Sequence, residues 1–166
     1  MSKKIFVTVG TTQFDSLLQA VTSTDVLDYF NDNGFTQLTL QKGRGNFELE
    51  STSYKNLKIE CFRYKDTIMD DLREASLVLS HAGAGSILET LSLRKFLVVV
   101  VNEELINNHQ YELASKMAEE GYLYYCTCST ILDTLRTKNL TDLKCKPVVD
   151  GRLFGDYVDR FVGIAK

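Results

Sequence analysis

The most informative segment of this chain is Leu77-Val78-Leu79-Ser80-His81-Ala82-Gly83-Ala84-Gly85-Ser86-Ile87-Leu88-Glu89. An apolar strand runs here into a glycine-rich turn that opens a helix. Glycines let backbone N–H groups approach a ligand closely, and the free amides of a first helical turn lie at the positive end of the helix dipole. The segment therefore predicts a phosphate-binding turn.

The composition is typical of one soluble globular domain, which we expect to span residues 1–166. Apolar residues make up 44% and charged residues 25% of the chain, and the net charge is -3. These values give no reason to expect a nucleic-acid partner. The longest apolar run, residues 96–101, is far below the ~20 residues that span a bilayer. The N-terminus lacks a signal-peptide pattern, so we expect a cytoplasmic protein.

The four cysteines are expected to be reduced, in keeping with that compartment. Cys61, Cys126, Cys128 and Cys145 contain no C-x-x-C pair of a zinc or redox motif. Cys126 and Cys128 are two residues apart, which places both thiols on one face of a predicted strand.

Hydrophobic periodicity predicts a doubly wound α/β domain with a parallel sheet. Residues 97–101 are apolar on both faces, as in strands that lie between two layers of helices. The predicted strands are 4–9, 37–41, 57–62, 77–80, 96–101 and 122–126. The predicted helices are 14–21, 25–33, 67–75, 86–93, 109–120, 130–137 and a C-terminal amphipathic helix at 151–163.

Three loops follow predicted strands at the carboxyl edge of this sheet, where open parallel sheets bind ligands. They are residues 10–13, 80–86 and 102–110. The first contains Gly10-Thr11-Thr12, and the third ends with Asn107-Asn108-His109-Gln110, which is dense in neutral donors and acceptors. The sequence thus predicts one crevice formed by all three loops.

Two readings of Ser86 and Glu89 stay open and are compatible. Their S-x-x-E spacing is that of a capping box that starts a helix. Glu89 is also one turn into the helix after the glycines, where a carboxylate accepts bonds from both hydroxyls of a ribose.

The two histidines are the weak candidates for a catalytic base. His81 lies between the strand and the glycines, so it either faces the crevice or bonds to the backbone. His109 lies among amides at a helix start, where a neutral imidazole and a phosphate contact are equally plausible. With two histidines and no carboxylates clustered at ligand spacing, no metal site is expected. Asp70 and Asp71 are interpreted as a solvated helix face.

Other phosphate-binding and hydrolase motifs are absent or incomplete. The chain has no G-x-x-x-x-G-K-[ST] and no G-x-S-x-G. Gly83 and Gly85 match two glycines of a dinucleotide fingerprint, but the third position is Leu88 and the turn follows a late strand. An NAD-dependent oxidoreductase is therefore disfavoured.

Four stretches together resemble a glycosyltransferase family. They are Val7-Thr8-Val9-Gly10-Thr11-Thr12-Gln13-Phe14-Asp15, Gln41-Lys42-Gly43-Arg44-Gly45, residues 80–89, and residues 100–114. In order and spacing they are similar to the cytosolic catalytic subunits of the UDP-N-acetylglucosamine (UDP-GlcNAc) transferases of dolichol-linked oligosaccharide synthesis. More distantly they resemble the C-terminal half of MurG and other family 28 enzymes. Arg94-Lys95-Phe96 departs from the family's glycine-lysine-proline turn.

The resemblance implies the donor domain of a two-domain GT-B glycosyltransferase. In that arrangement the turn from Gly83 to Ser86, with Ser80, His81 and Ala82 leading into it, holds the diphosphate of UDP-GlcNAc. Glu89 holds the ribose, and Gly10, Thr11 and Thr12 line the crevice. Asn107, Asn108, His109 and Gln110 lie near the sugar. UDP-GlcNAc is a substrate, so the resemblance implies no cofactor. It implies no metal either.

The resemblance also implies a second chain. A GT-B enzyme reacts between two domains and this chain supplies one, so the acceptor half, which binds dolichol-linked GlcNAc, comes from a membrane-anchored subunit on the cytosolic face of the endoplasmic reticulum. Phe154, Tyr157, Val158 and Phe161 are the candidates for docking it, with packing on the chain's own domain as the alternative. A non-catalytic UDP-sugar-binding or scaffold module is the alternative function.

Overall fold

The computed structural model describes residues 2–105 and 108–145, and at Asn108 and His109 it describes the backbone only. The strands of this part are β1 (Lys3–Thr8), β2 (Phe35–Gln41), β3 (Thr52–Tyr54), β4 (Leu57–Phe62), β5 (Leu77–His81), β6 (Phe96–Val101) and β7 (Tyr124–Thr127). Its α-helices are α1 (Asp15–Val21), α2 (Thr24–Asp32), α3 (Met69–Glu74), α4 (Ala84–Ser92), α5 (Asn108–Glu119) and α6 (Ile131–Thr137).

The strands form one sheet in the order β3-β4-β2-β1-β5-β6-β7. All neighbours pair in parallel except β3, which pairs antiparallel with β4 at the edge. The chain order reverses between β1 and β5, and ligands of doubly wound sheets bind at such a point. The predicted doubly wound fold is confirmed.

Helices cover both faces of the sheet because its central strands are apolar on both sides. Val98 and Val100 pack with α1, α2 and α6, whereas Leu97, Val99 and Val101 pack with α3, α4 and α5. Residues 97–100 are fully buried. Two cores separated by one sheet fix the carboxyl ends of the strands on a rigid platform.

Several local predictions were wrong. The edge strand β3 was not predicted, because Thr52-Ser53-Tyr54 is short, mostly polar and largely exposed. Helix α4 begins at Ala84, two residues before the predicted start at Ser86. Cys128 lies in a 3-10 turn after β7, so it does not share a strand face with Cys126.

The described cysteines are free thiols. Burial raises the pKa of Cys126 to about 12 and that of Cys128 to about 11, so both thiols stay protonated and unreactive at neutral pH. Among the described residues, no helix has the length and apolar character of a membrane span. The predicted helix at 151–163 lies outside the described residues.

Candidate functional site

A row of buried polar side chains lies under the carboxyl edge of the sheet. Gln41, Thr8 and Ser80 are register partners on β2, β1 and β5, and their exposed fractions are 5%, 0% and 0%. The Thr8 hydroxyl donates to Gln41 Oε1 (2.5 Å) and accepts from the Gly10 amide (2.9 Å). Polar groups this deeply buried need such partners. The row therefore fixes the loop after β1 from below.

The imidazole of His81 lies between the backbones of Gly10 and Gly83. A Cβ atom at Gly10 would stand 2.9 Å from His81 Cε1, and one at Gly83 would stand 2.3 Å from Nε2. Both distances are shorter than real Cβ contacts allow. The lack of a side chain at Gly10 and Gly83 thus makes room for the His81 ring, which the sequence had not indicated.

Gly85 differs from the other two glycines of the site. A Cβ atom there would meet nothing within 4 Å. The space beside Gly85 is open to a ligand, so this is the glycine that fits the predicted close approach of an anion to the backbone.

Electrostatically, His81 behaves as a neutral ring. Burial lowers its pKa, and a hydrogen bond with the Thr8 backbone raises it by less. Its Nδ1 is buried and has no well-formed hydrogen bond within the described part of the chain. A pKa below the usual ~6.5 leaves the imidazole uncharged at neutral pH. His81 therefore contributes a neutral ring that fills space in the site, and it contributes no positive charge.

The amino end of α4 is open to an anion. Gly83 is the N-cap, with extended backbone, and no side chain among the described residues caps this end. The first helical bond runs from the Ile87 amide to the Gly83 carbonyl (3.1 Å), which leaves the amides of Ala84, Gly85 and Ser86 without helical partners. Three amides thus lie at the positive end of a nine-residue helix, where the sequence predicts a phosphate site.

The capping-box reading of Ser86 was wrong. Because α4 starts at Ala84, Ser86 is the third residue of the helix and cannot act as its N-cap. Ala84 and Gly85 extend the helix towards the strand, and the Ser86 carbonyl accepts a bond from the Thr90 hydroxyl (2.7 Å).

Ser80 and Ala82 support the turn from beneath. Both are buried, with exposed fractions of 0% and 2%, and Ser80 Oγ donates to the His81 carbonyl (2.9 Å). Because both whole residues are buried, they offer a ligand almost no surface and act as support for the turn.

Glu89 lines a cavity of about 250 Å³ beside the open helix end. Gly10 and Thr11 line the same cavity, which brings together candidates predicted from two separate parts of the sequence. Thr12 does not line it. Instead its hydroxyl donates to the Val9 carbonyl (2.8 Å) and holds the loop in shape.

The other wall of this cavity was missed by the sequence reasoning. It is the loop after β4 together with the end of β2: Gln41, Lys65, Asp66, Thr67, Ile68 and Met69. The strand before this loop was predicted, and the carboxyl-end rule applied to it would have found the loop as a fourth member of the crevice.

The loop after β2, residues 42–46, locks the loop after β1 in place. The Arg44 amide donates to the Thr12 carbonyl (3.0 Å), and the Asn46 amide donates to Asp15 Oδ2 (2.9 Å). A Cβ atom at Gly43 would stand 2.2 Å from that Thr12 carbonyl. Gly43 thus allows close contact between the two loops, and it does not serve ligand binding.

A larger cavity of about 930 Å³ opens at the carboxyl ends of β6 and β7. Asn102 and Gln110, from the third predicted loop, both line it. Asn107 lies outside the described residues, as do the side chains of Asn108 and His109. The four C-terminal candidates, Phe154, Tyr157, Val158 and Phe161, also lie outside the described residues.

Comparison with known proteins identifies the family of this chain. The model of the glycosyltransferase family 28 C-terminal domain matches residues 4–148. The human UDP-N-acetylglucosamine transferase subunit ALG13 is 46% identical over 146 residues, which are 87% of this chain and 13% of the human protein. The chain thus spans about an eighth of that relative. The Saccharomyces cerevisiae ALG13 subunit is 32% identical, with 88% of this chain and 89% of the yeast protein covered.

Solved structures agree on the fold. The NMR solution structure of ALG13 is 30% identical, with a TM-score of 0.71 and 95% of each chain covered. The crystal structure of MurG from Acinetobacter baumannii is 21% identical, with a TM-score of 0.66, and the match covers 86% of this chain and 43% of MurG. The chain therefore belongs to the family of glycosyltransferase family 28 C-terminal domains and is a homologue of the UDP-N-acetylglucosamine transferase subunits ALG13.

Proposed function

We propose that this chain is the donor-binding subunit of a transferase that moves GlcNAc from UDP-GlcNAc to dolichol-linked GlcNAc. The observation that carries the proposal is the uncapped amino end of α4 next to the cavity of Glu89. The amides and the carboxylate lie one helical turn apart. They match a nucleoside diphosphate, in which the phosphates are attached directly to the ribose. The family supplies the sugar: relatives in several species are named UDP-N-acetylglucosamine transferase subunits.

In the proposed complex each part of the donor has its own contacts. The diphosphate accepts hydrogen bonds from the amides of Ala84, Gly85 and Ser86, each worth about 1.5–3 kcal/mol when the acceptor is charged. Glu89 accepts from the ribose hydroxyls. The nucleobase packs against the cavity wall formed by residues 65–69. The sugar points towards Asn102 and Gln110, at the mouth of the larger cavity.

The proposed reaction is an inverting displacement that needs no metal. The 4-hydroxyl oxygen of the acceptor GlcNAc attacks C1 of the donor sugar from the side opposite the diphosphate. The bond from C1 to the diphosphate oxygen breaks, and its electron pair leaves with UDP. Amides at the start of α4 are already oriented towards the oxygens on which this charge grows, so they stabilise the transition state without reorganising.

The general base is proposed to lie on the second chain. His81 is the nearest described histidine, but its ring is held between two glycines and its Nδ1 is buried. A base must reach the proton that it removes, either directly or through one water. His109 stays a candidate, because its side chain is outside the described residues.

A second subunit is also proposed to supply the acceptor half of the enzyme. One sheet with its helices provides one side of a GT-B cleft, and the relatives are named as subunits. We propose that this partner is anchored in the endoplasmic reticulum membrane, recruits the chain to the cytosolic face, and binds Phe154, Tyr157, Val158 and Phe161.

Two measurements test the proposal in order. Thermal-shift titration with UDP, UDP-GlcNAc and NAD should rank UDP-GlcNAc and UDP well above NAD, and NAD ahead of UDP would contradict a glycosyltransferase site. Transfer to a dolichol-linked GlcNAc acceptor should then be measured with and without the membrane subunit. UDP-GlcNAc binding without transfer in the presence of the subunit would favour the non-catalytic module.

A further inference from the structure

The outer edge of β7 borders a part of the larger cavity whose residues have no role in the proposed mechanism. β7 pairs with β6 on one side, and no strand of the described chain pairs with its other side. The larger cavity runs along this free edge. We call the part lined by Leu105, Tyr111, Ala118, Tyr124, Tyr125 and Lys138 the edge groove.

The edge groove holds two of the three exposed large apolar side chains of the described residues. In that part of the chain three large apolar side chains are exposed: Tyr64, Leu105 and Tyr111. Leu105 is 51% and Tyr111 49% exposed, and both lie in the groove. Tyr111 packs edge-on against Tyr125, with ring centroids 5.6 Å apart. An apolar surface next to an unpaired strand edge is a feature that proteins normally cover.

The described chain ends beside one end of this groove. The Lys144 amide donates to the Gly121 carbonyl (2.8 Å), and the Gly121 amide donates to the carbonyl of Ala118 (3.0 Å), a groove residue. Residues 146–166 follow in the sequence. Lys144 and Cys145 themselves line a separate small cavity with Tyr122. The segment is therefore attached close to Ala118, at one end of the groove.

The length and pattern of that segment fit the groove. Residues 146–150 reach at most about 17 Å when extended. A helix over residues 151–163 is about 20 Å long, against about 13 Å for the four residues of β7. At helical spacing Phe154, Tyr157, Val158 and Phe161 form one apolar face, with Asp156 and Arg160 on the other side.

We propose that the C-terminal segment of this chain docks its own apolar face into the edge groove, covering Leu105, Tyr111 and the free edge of β7. The inference does not depend on the proposed transferase activity. A partner that bound the same four side chains would have to displace them from the groove, so docking on the chain itself and docking on a partner would compete.

Hydrogen–deuterium exchange on the full chain tests this docking. In the double variant Phe154→Ser/Phe161→Ser, amides of residues 111–127 should exchange about tenfold faster or more, because the cover is lost. Asp156→Asn/Arg160→Gln is the matched control: it changes the polar side of the segment, keeps the net charge and should leave the groove protected. Unchanged exchange of residues 111–127 in the apolar-face variant would overturn the proposal.

The reciprocal variant guards against a simple loss of folding. Leu105→Ser/Tyr111→Ser should raise exchange in residues 151–163 by a similar factor, whereas Tyr64→Ser, which removes the exposed aromatic side chain outside the groove, should not. Exchange in β1 reports whether the core is intact. Protection of the groove that disappears on dilution would assign the cover to a second copy and would also overturn the proposal.

Discussion

At the scale of single residues, the two glycines of the phosphate turn have different roles. Gly83 makes room for His81, whereas Gly85 faces open space. The sequence predicts that glycines are needed here. It cannot show which contact a side chain at each position would make, because the imidazole of His81 reaches the turn only in the folded structure.

Alanine substitutions should separate these roles. Gly83→Ala forces a methyl group against a ring that is itself held on both sides, and such overpacking costs about 1–3 kcal/mol. We expect the Tm to fall by roughly 2–4 °C for each of these kcal/mol. Gly85→Ala should leave the Tm unchanged or higher, because alanine favours a helix by roughly 0.5–1 kcal/mol over glycine. Calorimetry that finds equal Tm losses in both variants would contradict the assignment.

Glu89 should act on nucleotide binding and not on folding. Removing its carboxylate in Glu89→Ala deletes hydrogen bonds to a charged acceptor, worth about 1.5–3 kcal/mol, which corresponds to roughly 10- to 100-fold weaker UDP-GlcNAc binding. Isothermal titration calorimetry measures the loss. Glu119→Ala, which removes a mostly exposed carboxylate from another helix, should bind normally. Full affinity in Glu89→Ala would refute the ribose contact.

His81 should make the fold sensitive to mild acid. Because its pKa is lowered in the folded chain, the unfolded chain binds the proton more readily below about pH 6.5. Stability contributed by the neutral ring is therefore complete above that pH and decreases as the pH falls, by at most about 1.4 kcal/mol per pH unit for one proton. Urea unfolding of the wild type and His81→Asn between pH 7.5 and 5 should show a weaker pH dependence in the variant. Parallel curves would rule out this role.

At the scale of elements, every described strand except β3 was predicted, and so were most helix starts, to within one residue; the starts of α3 and α4 were not. Residues 97–101 form an unbroken apolar run, and only a strand between two helix layers buries such a run on both faces. By contrast, Thr52-Ser53-Tyr54 carries no such pattern, although it pairs with the next strand, β4, across a two-residue turn. Ser86 appeared to be a cap because spacing alone does not reveal that Ala84 and Gly85 are already helical.

The start of α4 gives a prediction at this scale. If Ser86 is inside the helix, Ser86→Ala should change the free energy of unfolding by less than about 0.5 kcal/mol, the usual range for a substitution away from special features. Asn139→Ala is the control: Asn139 is an N-cap whose side chain accepts from the Thr141 amide (3.2 Å), and losing a cap costs about 0.5–2 kcal/mol. If Ser86→Ala lowers the free energy of unfolding as much as Asn139→Ala or more, Ser86 caps the helix and the capping-box interpretation is right.

At the scale of the whole molecule, the candidate site is an edge and not an enclosed cavity. Loops after β1, β4, β5 and β6 meet at one end of the sheet, and both cavities open there. Sequence reasoning found most of this edge because the carboxyl-end rule depends only on strand order. It missed the loop at residues 65–69, whose side chains lack a recognised motif. The open edge agrees with the proposal that a second chain completes the cleft.

The central claim is that the open end of α4 binds the diphosphate of a UDP-sugar. The most direct test is a titration of the ¹⁵N-labelled full chain with UDP and UDP-GlcNAc, followed by amide chemical shifts. The amides of Ala84, Gly85 and Ser86 should shift most and saturate together, while Gly34 and Gly121, in turns away from this edge, should not move. Saturable binding that leaves the three α4 amides unshifted would contradict the account.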